Sequence, residues 1–300
     1  MENTDLIVSC PNGGGLVRIH DDIPTFINRV DTTGICFYEG RVFRCIQNTI
    51  DTPLHMIIYD EGRIQSLVFP EIRDVHDIIG FDGRLFVVST GANEIFEISA
   101  ERLQILNRVR MKGKGDAWHL NCLEVYQNRL IVSAFGKFRR HRGYKNSTRG
   151  AGIIFDYESG KTLFKGFSQP HTPRVIDDSL FVCNSEEKTV LRIDTSSGAM
   201  SAFEFENYTR GIAQSESHIY IGISSSRNIE QHSRQSKVVV LDRQTFDRVG
   251  EICLDCPEIY NICPVPAALQ LFPVEDETPV PASVPEPESE RKNELSFTHS

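Results

Sequence analysis

Five apolar pairs recur along the chain at intervals of about 40–50 residues: Val42-Phe43, Leu85-Phe86, Leu130-Ile131, Leu180-Phe181 and Ile219-Tyr220. Nine residues before the first member of each pair stand Thr33, His76, Asn121, His171 and Arg210. A repeat of this length built from short strands predicts a β-propeller. In that architecture the innermost strand of each blade lines one central channel, so repeat-equivalent residues form a ring. Packing alone would not select Thr, His, Asn, His and Arg for such a ring, and the ring is the first candidate site.

Each unit divides into four strands. The innermost follows the ring position, and the second carries the apolar pair. The third ends on an Asp turn, as at Asp60, Asp156, Asp194 and Asp242, where an Asx side chain can cap the backbone. Full blades are expected near 31–70, 73–110, 116–168, 169–206 and 207–252. The ends supply a sixth: residues 6–28 read as three strands lacking an innermost one, and 259–263 as an innermost strand lacking followers. Joining them closes the ring and hides the edges an open array would expose. The fold class is therefore an all-β, six-bladed propeller over residues 1–272.

Composition changes after that. Residues 273–300 hold five Pro, seven acidic and two basic residues, net −5 of the chain's −9. Such a segment cannot repay its ordering entropy by burial and is expected to be disordered. The remaining body is mildly acidic, which argues against a nucleic-acid partner. No apolar run is long enough to span a bilayer, so no membrane is expected. Residues 1–15 lack the basic and apolar regions of a signal peptide, and a cytoplasmic location is expected. Most of the eight Cys fall inside predicted strands and read as small hydrophobes. Cys253 and Cys256 form a lone CxxC without the context of a zinc or redox motif. Two polar insertions stand out. One, 137–149, has six Lys/Arg in thirteen residues and reads either as a solvated loop or as an anion-facing lid. The other spans Ser224 to Lys237. Trp118, the one Trp, reads as a core residue between blades.

The strings His119-Leu-Asn121, Gln169-Pro-His171-Thr-Pro-Arg174 and Tyr208-Thr-Arg210-Gly-Ile212 resemble an uncharacterised family of bacterial propeller proteins with HLNG, PH-S/T-PR and TRG motifs. Cys122 replaces the glycine of HLNG. The resemblance implies the propeller and the ring residues, but no reaction. More distantly the ring is similar to streptogramin-type lyases, whose blades place His residues around a metal. That likeness implies His76, His119 and His171 as catalytic residues and as ligands of a divalent metal ion. Residues two apart on a strand share a face, so His119 and Asn121 should both reach the channel.

Imidazoles from separate strands suit transition metals. Arg210 could clamp a carboxylate or phosphate, and Asp74 or Asp77 could orient His76. Thr33, Asn121, Arg174, Arg210 and Tyr260 complete the expected ligand-binding set; Tyr260 sits on the sixth innermost strand, where the nine-residue spacing is lost. Against this, propeller channels often hold polar residues and water with no chemistry. The favoured function is binding of a small polar or anionic molecule by a lyase- or hydrolase-type enzyme acting on a sugar or carboxylate-bearing metabolite. The alternative is a non-catalytic propeller that holds a protein partner through its top loops and acidic tail.

Overall fold

The computed structural model describes residues 4–46, 51–224 and 235–271. β-Branched and aromatic runs separated by turn residues form six antiparallel sheets of four strands each. Five sheets are continuous in sequence, covering 32–73, 75–110, 120–167, 170–204 and 208–255. In the sixth, Asn261–Pro266 pairs with Thr4–Cys10, which is followed by Gly15–His20 and Ile23–Asn28. The six-bladed, all-β propeller and its closure between the two chain ends are thus as expected. The sixth innermost strand begins at Asn261 rather than residue 259, so Tyr260 leads into the strand. The tail 273–300 and residues 225–234 of the second polar insertion lie outside the described residues. No helix among the described residues is long and apolar enough to cross a membrane.

Neighbouring blades pack face to face. Phe43 and Met56 of the first continuous blade share a buried cluster with Ile78, Val87 and Phe96 of the next. Each such side chain contributes roughly 2–3 kcal/mol by leaving water. Trp118 joins a similar cluster with Phe86, Leu130 and Phe155, in agreement with its core reading. The Asp turns form as their chemistry requires: Asp194 Oδ1 accepts the backbone N–H of Ser196 at 3.0 Å and of Ser197 at 2.8 Å. Asp242 Oδ1 does the same for Gln244 and Thr245, each at 2.8 Å. Six of the Cys are buried. Burial pushes the Cys122 and Cys263 thiols up to about 11. Cys253 is exposed while Cys256 is buried, so the CxxC does not present a paired site.

One buried cation fastens the closing blade to the first continuous one. Arg44 is fully buried. Its guanidinium donates to Asn28 Oδ1 (2.7 Å), Val30 O (2.9 Å), Thr32 Oγ1 (2.9 Å) and Tyr59 OH (3.2 Å). Truncation would strand several buried acceptors and open a cavity. Arg44→Ala is expected to cost roughly 3 kcal/mol and to lower the melting temperature by about 8 °C. Calorimetric unfolding of the variant checks this; an unchanged melting temperature would rule out the fastening role.

Candidate functional site

The innermost strands enter the channel from one end, and each of the five continuous blades breaks its register near the ring position. The shifts lie between Thr32 and Ile35, Val75 and Asp77, Leu120 and Leu123, His171 and Arg174, and Thr209 and Ile212. A bulge of this kind re-aims side chains and bends the strand. The pairing of Asn261–Pro266 with Thr4–Cys10 has no such shift, which explains why the nine-residue spacing fails in the closing blade.

Just upstream, three blades carry a second repeated device. Asp74, His119 and Gln169 each stand two residues before a ring residue, and all are left-handed, with φ of 51°, 51° and 53°. A non-glycine residue in this region costs on the order of 1 kcal/mol and is held there by its surroundings. His119 therefore sits at a kink before the strand Leu120–Tyr126, not on it. The same-face expectation for His119 and Asn121 does not hold as a strand argument, although both side chains reach the channel. Tyr208 and Glu258 occupy the equivalent places before Arg210 and Tyr260. The result is two tiers. Asp74, His119, Gln169, Tyr208 and Glu258 form the upper one, and His76, Asn121, His171, Arg210 and Tyr260 the lower.

A cavity of about 500 Å³ opens over these tiers. Its walls include His76, His119, His171, Arg210, Gln169, Tyr208 and Glu258. Phe135, Glu186 and the lid residues Tyr144, Lys145, Asn146 and Thr148 complete them. The basic insertion is thus a lid, but most of its cations do not face the cavity. Arg149 pairs with Glu187 at 2.7 Å, and Arg142 Nε lies 3.6 Å from Asp116. What the lid inserts is Tyr144, whose ring packs against His119 with centroids 4.6 Å apart.

His119 and His171 share one tautomer, assigned from their partners. His119 Nδ1–H donates to Asp116, 3.0 and 3.1 Å from its two oxygens, and Tyr144 O–H donates to Asp116 Oδ2 at 2.5 Å. His171 Nδ1–H donates to Gln169 O and Ser185 Oγ, both at 2.9 Å; Ser185 in turn donates to Thr209 O. His76 Nδ1–H donates to Asn121 Oδ1 at 3.1 Å, with Asn121 Nδ2 donating to Pro170 O. The Nε2 atoms of His119 and His171 are left as acceptors, whereas His76 Nε2 faces other groups of the site. Tyr260 O–H approaches His76 Nε2 at 3.4 Å, and Asp74 Oδ1 lies 3.6 Å from the same atom. Asp74, not Asp77, is therefore the carboxylate beside His76.

Burial holds the His119 ring below the usual imidazole range, partly offset by Asp116. His171 is pushed well below it by burial and by the Arg210 charge. Although burial opposes it, hydrogen bonds from His119 and Tyr144 and the nearby imidazoles hold Asp116 below the ordinary carboxylate range.

The remaining expectations divide. Arg210 does line the cavity, but its Nη1 donates to Glu258 at 2.9 Å and its guanidinium lies 3.2 Å over the Tyr260 ring. Asn121 and Tyr260 support the floor through His76. Thr33 is buried and is not among the cavity-lining residues. Arg174 belongs elsewhere. Three residues beyond His171 and past the bulge, it donates to Glu124 and to Asn261 Oδ1, each at 3.0 Å. It borders a separate cavity of about 160 Å³ further along the innermost strands. Asp77 is buried in that lower layer, accepting from Leu123 N (2.9 Å) and Asn261 Nδ2 (3.2 Å), and burial pushes its carboxyl up to about 6.

The expected metal trio does not fit. Among the described residues no group of three or more His, Cys, Asp or Glu could hold a metal ion. Phe135 packs against two of the three imidazoles: its ring lies 4.3 Å from His119 and 5.5 Å from His171, between centroids, so an apolar ring contacts both.

Six four-stranded blades around a polar, lidded channel mouth define a six-bladed propeller with a candidate ligand site. The chain belongs to the family described as "Domain of unknown function (DUF4915)", which matches residues 64–271. No curated protein matches it. Among solved structures it is similar to a chain of a nidogen/laminin complex (TM-score 0.63, 8% identity, covering 87% of this chain and 98% of that one). A protein of unknown function from Bacteroides caccae gives a TM-score of 0.62 at 12% identity, with the same shares of 87% and 98%. A calcium-binding protein, regucalcin, from Agrobacterium tumefaciens gives 0.52 at 15% identity, covering 81% of this chain and 79% of that one. At these identities the likeness is one of fold.

The His171 environment sets a pH dependence. Its proton is held less tightly in the folded than in the unfolded chain, where the ordinary value is about 6.5. The stability this site permits is complete above that value and is lost as pH falls through it towards the folded value. His171→Gln should flatten the difference in unfolding free energy between pH 7.5 and pH 5 by up to about 2 kcal/mol. Denaturant unfolding of both proteins at the two pH values measures it; parallel curves would mean that His171 is solvated.

Proposed function

We propose that the channel mouth binds a small polar molecule and takes a proton from it, or from a water beside it, as lyases and hydrolases do. The observation that carries this reading is the Asp116–His119 pair. A carboxylate held ionised fixes the imidazole by its Nδ1–H and leaves Nε2 as the base, on a ring that lines the cavity. Taking a proton at Nε2 forms an imidazolium that the adjacent Asp116 carboxylate stabilises. The electron pair left on the substrate then expels a leaving group; where water is the acid, its oxygen attacks instead. His76, in edge contact with His119 at 5.0 Å and within reach of Tyr260 O–H, is placed to return a proton. Burial supports the same chemistry, because an imidazole kept neutral at pH 7 is in the form a base requires.

The test is a turnover screen in D2O with a pooled extract of small metabolites, read by NMR and mass spectrometry. The native protein should consume one component or exchange deuterium into it. His119→Gln is expected to lower that rate by about 10²–10⁴-fold. Asp116→Asn, which frees the ring to take the other tautomer, should lower it by about 10³–10⁴-fold. If no component distinguishes the native protein from His119→Gln, a non-catalytic binding propeller is left.

A further inference from the structure

The polar groups of the cavity wall are unevenly turned. Its hydroxyl donors are spent inside the protein. Tyr144 O–H goes to Asp116, Tyr208 O–H to Gln169 Oε1 at 2.8 Å, and Thr148 O–H to Glu186 Oε2 at 2.7 Å. Gln169 Nε2 goes to Thr148 Oγ1 at 3.2 Å. His119 and His171 likewise spend their one N–H inward, at Nδ1. What they offer in return is acceptors: the Nε2 atoms of His119 and His171, which no donor among the described residues reaches. The Glu186 carboxylate stands at the rim.

Charge points the same way. Arg210 is balanced by Glu258 at 2.9 Å. Two further carboxylates, Asp74 and Asp116, lie just behind the wall and are held below the ordinary range by their His partners against the opposing effect of burial. The other cation of the wall, Lys145, is exposed on the lid, where water screens it. A carboxylate or phosphate entering this space would meet acceptors and negative charge, and would lose its hydration without recovering enough hydrogen bonds. A hydroxyl group, by contrast, can donate to each Nε2. The rings of Phe135, Tyr144 and Tyr208 give the cavity apolar wall surface suited to the C–H face of a ring. Its volume of about 500 Å³ lies within the range of small-molecule sites.

We propose that the ligand is an uncharged polyhydroxylated molecule, of the sugar or cyclic-polyol class, recognised through hydroxyl donors to His171 and His119 and not through an anionic group. This rests on reading the cavity as the ligand site, and it narrows that reading by replacing an anion with a donor-rich neutral ring.

A matched panel separates the possibilities: glucose, galactose and mannose, each as the neutral hexose, the uronate and the hexosamine. Binding is measured by titration calorimetry at pH 7.5 on the full chain. At least one neutral hexose should bind, about tenfold or more tighter than its uronate, since the uronate places a charge against unpaired acceptors. His171→Leu, which removes one acceptor, should weaken the hexose by about tenfold at a temperature where unfolding curves show the variant still folded, since it also strands the partners of the Nδ1–H and lowers stability. A uronate or hexosamine that binds tighter than its hexose overturns the uncharged class and leaves the cavity as a ligand site. If none of the nine binds at millimolar concentration, the polyol inference falls. The deuterium-exchange comparison of native protein with Asp116→Asn then decides separately whether the cavity is catalytic. The charge comparison uses native protein alone, so it stands even if the Leu variant fails to fold.

Discussion

The pairing of Asn261–Pro266 with Thr4–Cys10 is the constraint on which everything else depends. It joins residues about 250 positions apart through a register running from Thr4 opposite Pro266 to Ser9 opposite Asn261. Five blades without it would expose two sheet edges, each a row of unpaired backbone groups. With it, the ring closes and the channel acquires its sixth wall. That wall brings Glu258 to Arg210, Tyr260 beneath the same guanidinium and beside His76, and Asn261 against Asp77 and Arg174. Asn12, on the hairpin after the closing strand, donates to Glu258 Oε2 at 2.8 Å, so the closure also holds the residue that neutralises Arg210. Stability of the ring and electrostatics of the site are therefore set by one strand pairing.

Within the ring, burial decides the charge states. The channel withdraws the imidazoles from water, and desolvation is the largest influence on both His119 and His171. It disfavours the imidazolium more than nearby charges favour it. The carboxylates differ according to their partners. Asp116 gathers hydrogen bonds from His119 and Tyr144 and stays ionised, whereas Asp77, deeper and fully enclosed, is pushed up to about 6 despite Arg174. One channel thus holds an ionised carboxylate behind a neutral imidazole at its mouth and a protonatable carboxylate in its lower layer.

The blades and the lower tier were legible because they depend on local spacing. The distance from an apolar pair on the second strand back to the innermost strand is fixed by one hairpin, and counting it found His76, Asn121, His171 and Arg210. The count also gave Thr33, whose buried side chain does not line the cavity. The upper tier lay two residues further back, in three blades at left-handed kinks where a strand-phase rule has no force. His119 was reached by that step in one blade; the same step in every blade gives Gln169, Tyr208 and Glu258. Arg174 was misplaced because the string it shares with His171 crosses a bulge that sends the two residues to different cavities. Phe135 and Tyr144 carried no repeat signal at all. One follows a second strand, and the other sits in the long insertion of its blade; Phe135 packs against two of the imidazoles expected as metal ligands.

The lid shows why residue counts mislead about ligand charge. Six basic residues in thirteen suggest an anion site, yet a cation contributes to selectivity only where its charge reaches the ligand through a poorly screened path. Arg149 is committed to Glu187 at the surface and Arg142 faces Asp116, while Lys137 lies 5.3 Å over the Trp118 ring. The lid's hydroxyls turn inward as well, so its contribution to the cavity is largely aromatic and steric, with Tyr144 closing over His119. Against the opposing effect of burial, the carboxylates behind the wall are held ionised by other groups: Asp74 by His76 and His119, and Asp116 by His119, Tyr144 and His76. A basic loop whose cations turn to the surface or to its own supports adds little positive charge to the pocket it covers, and that pocket is left rich in acceptors.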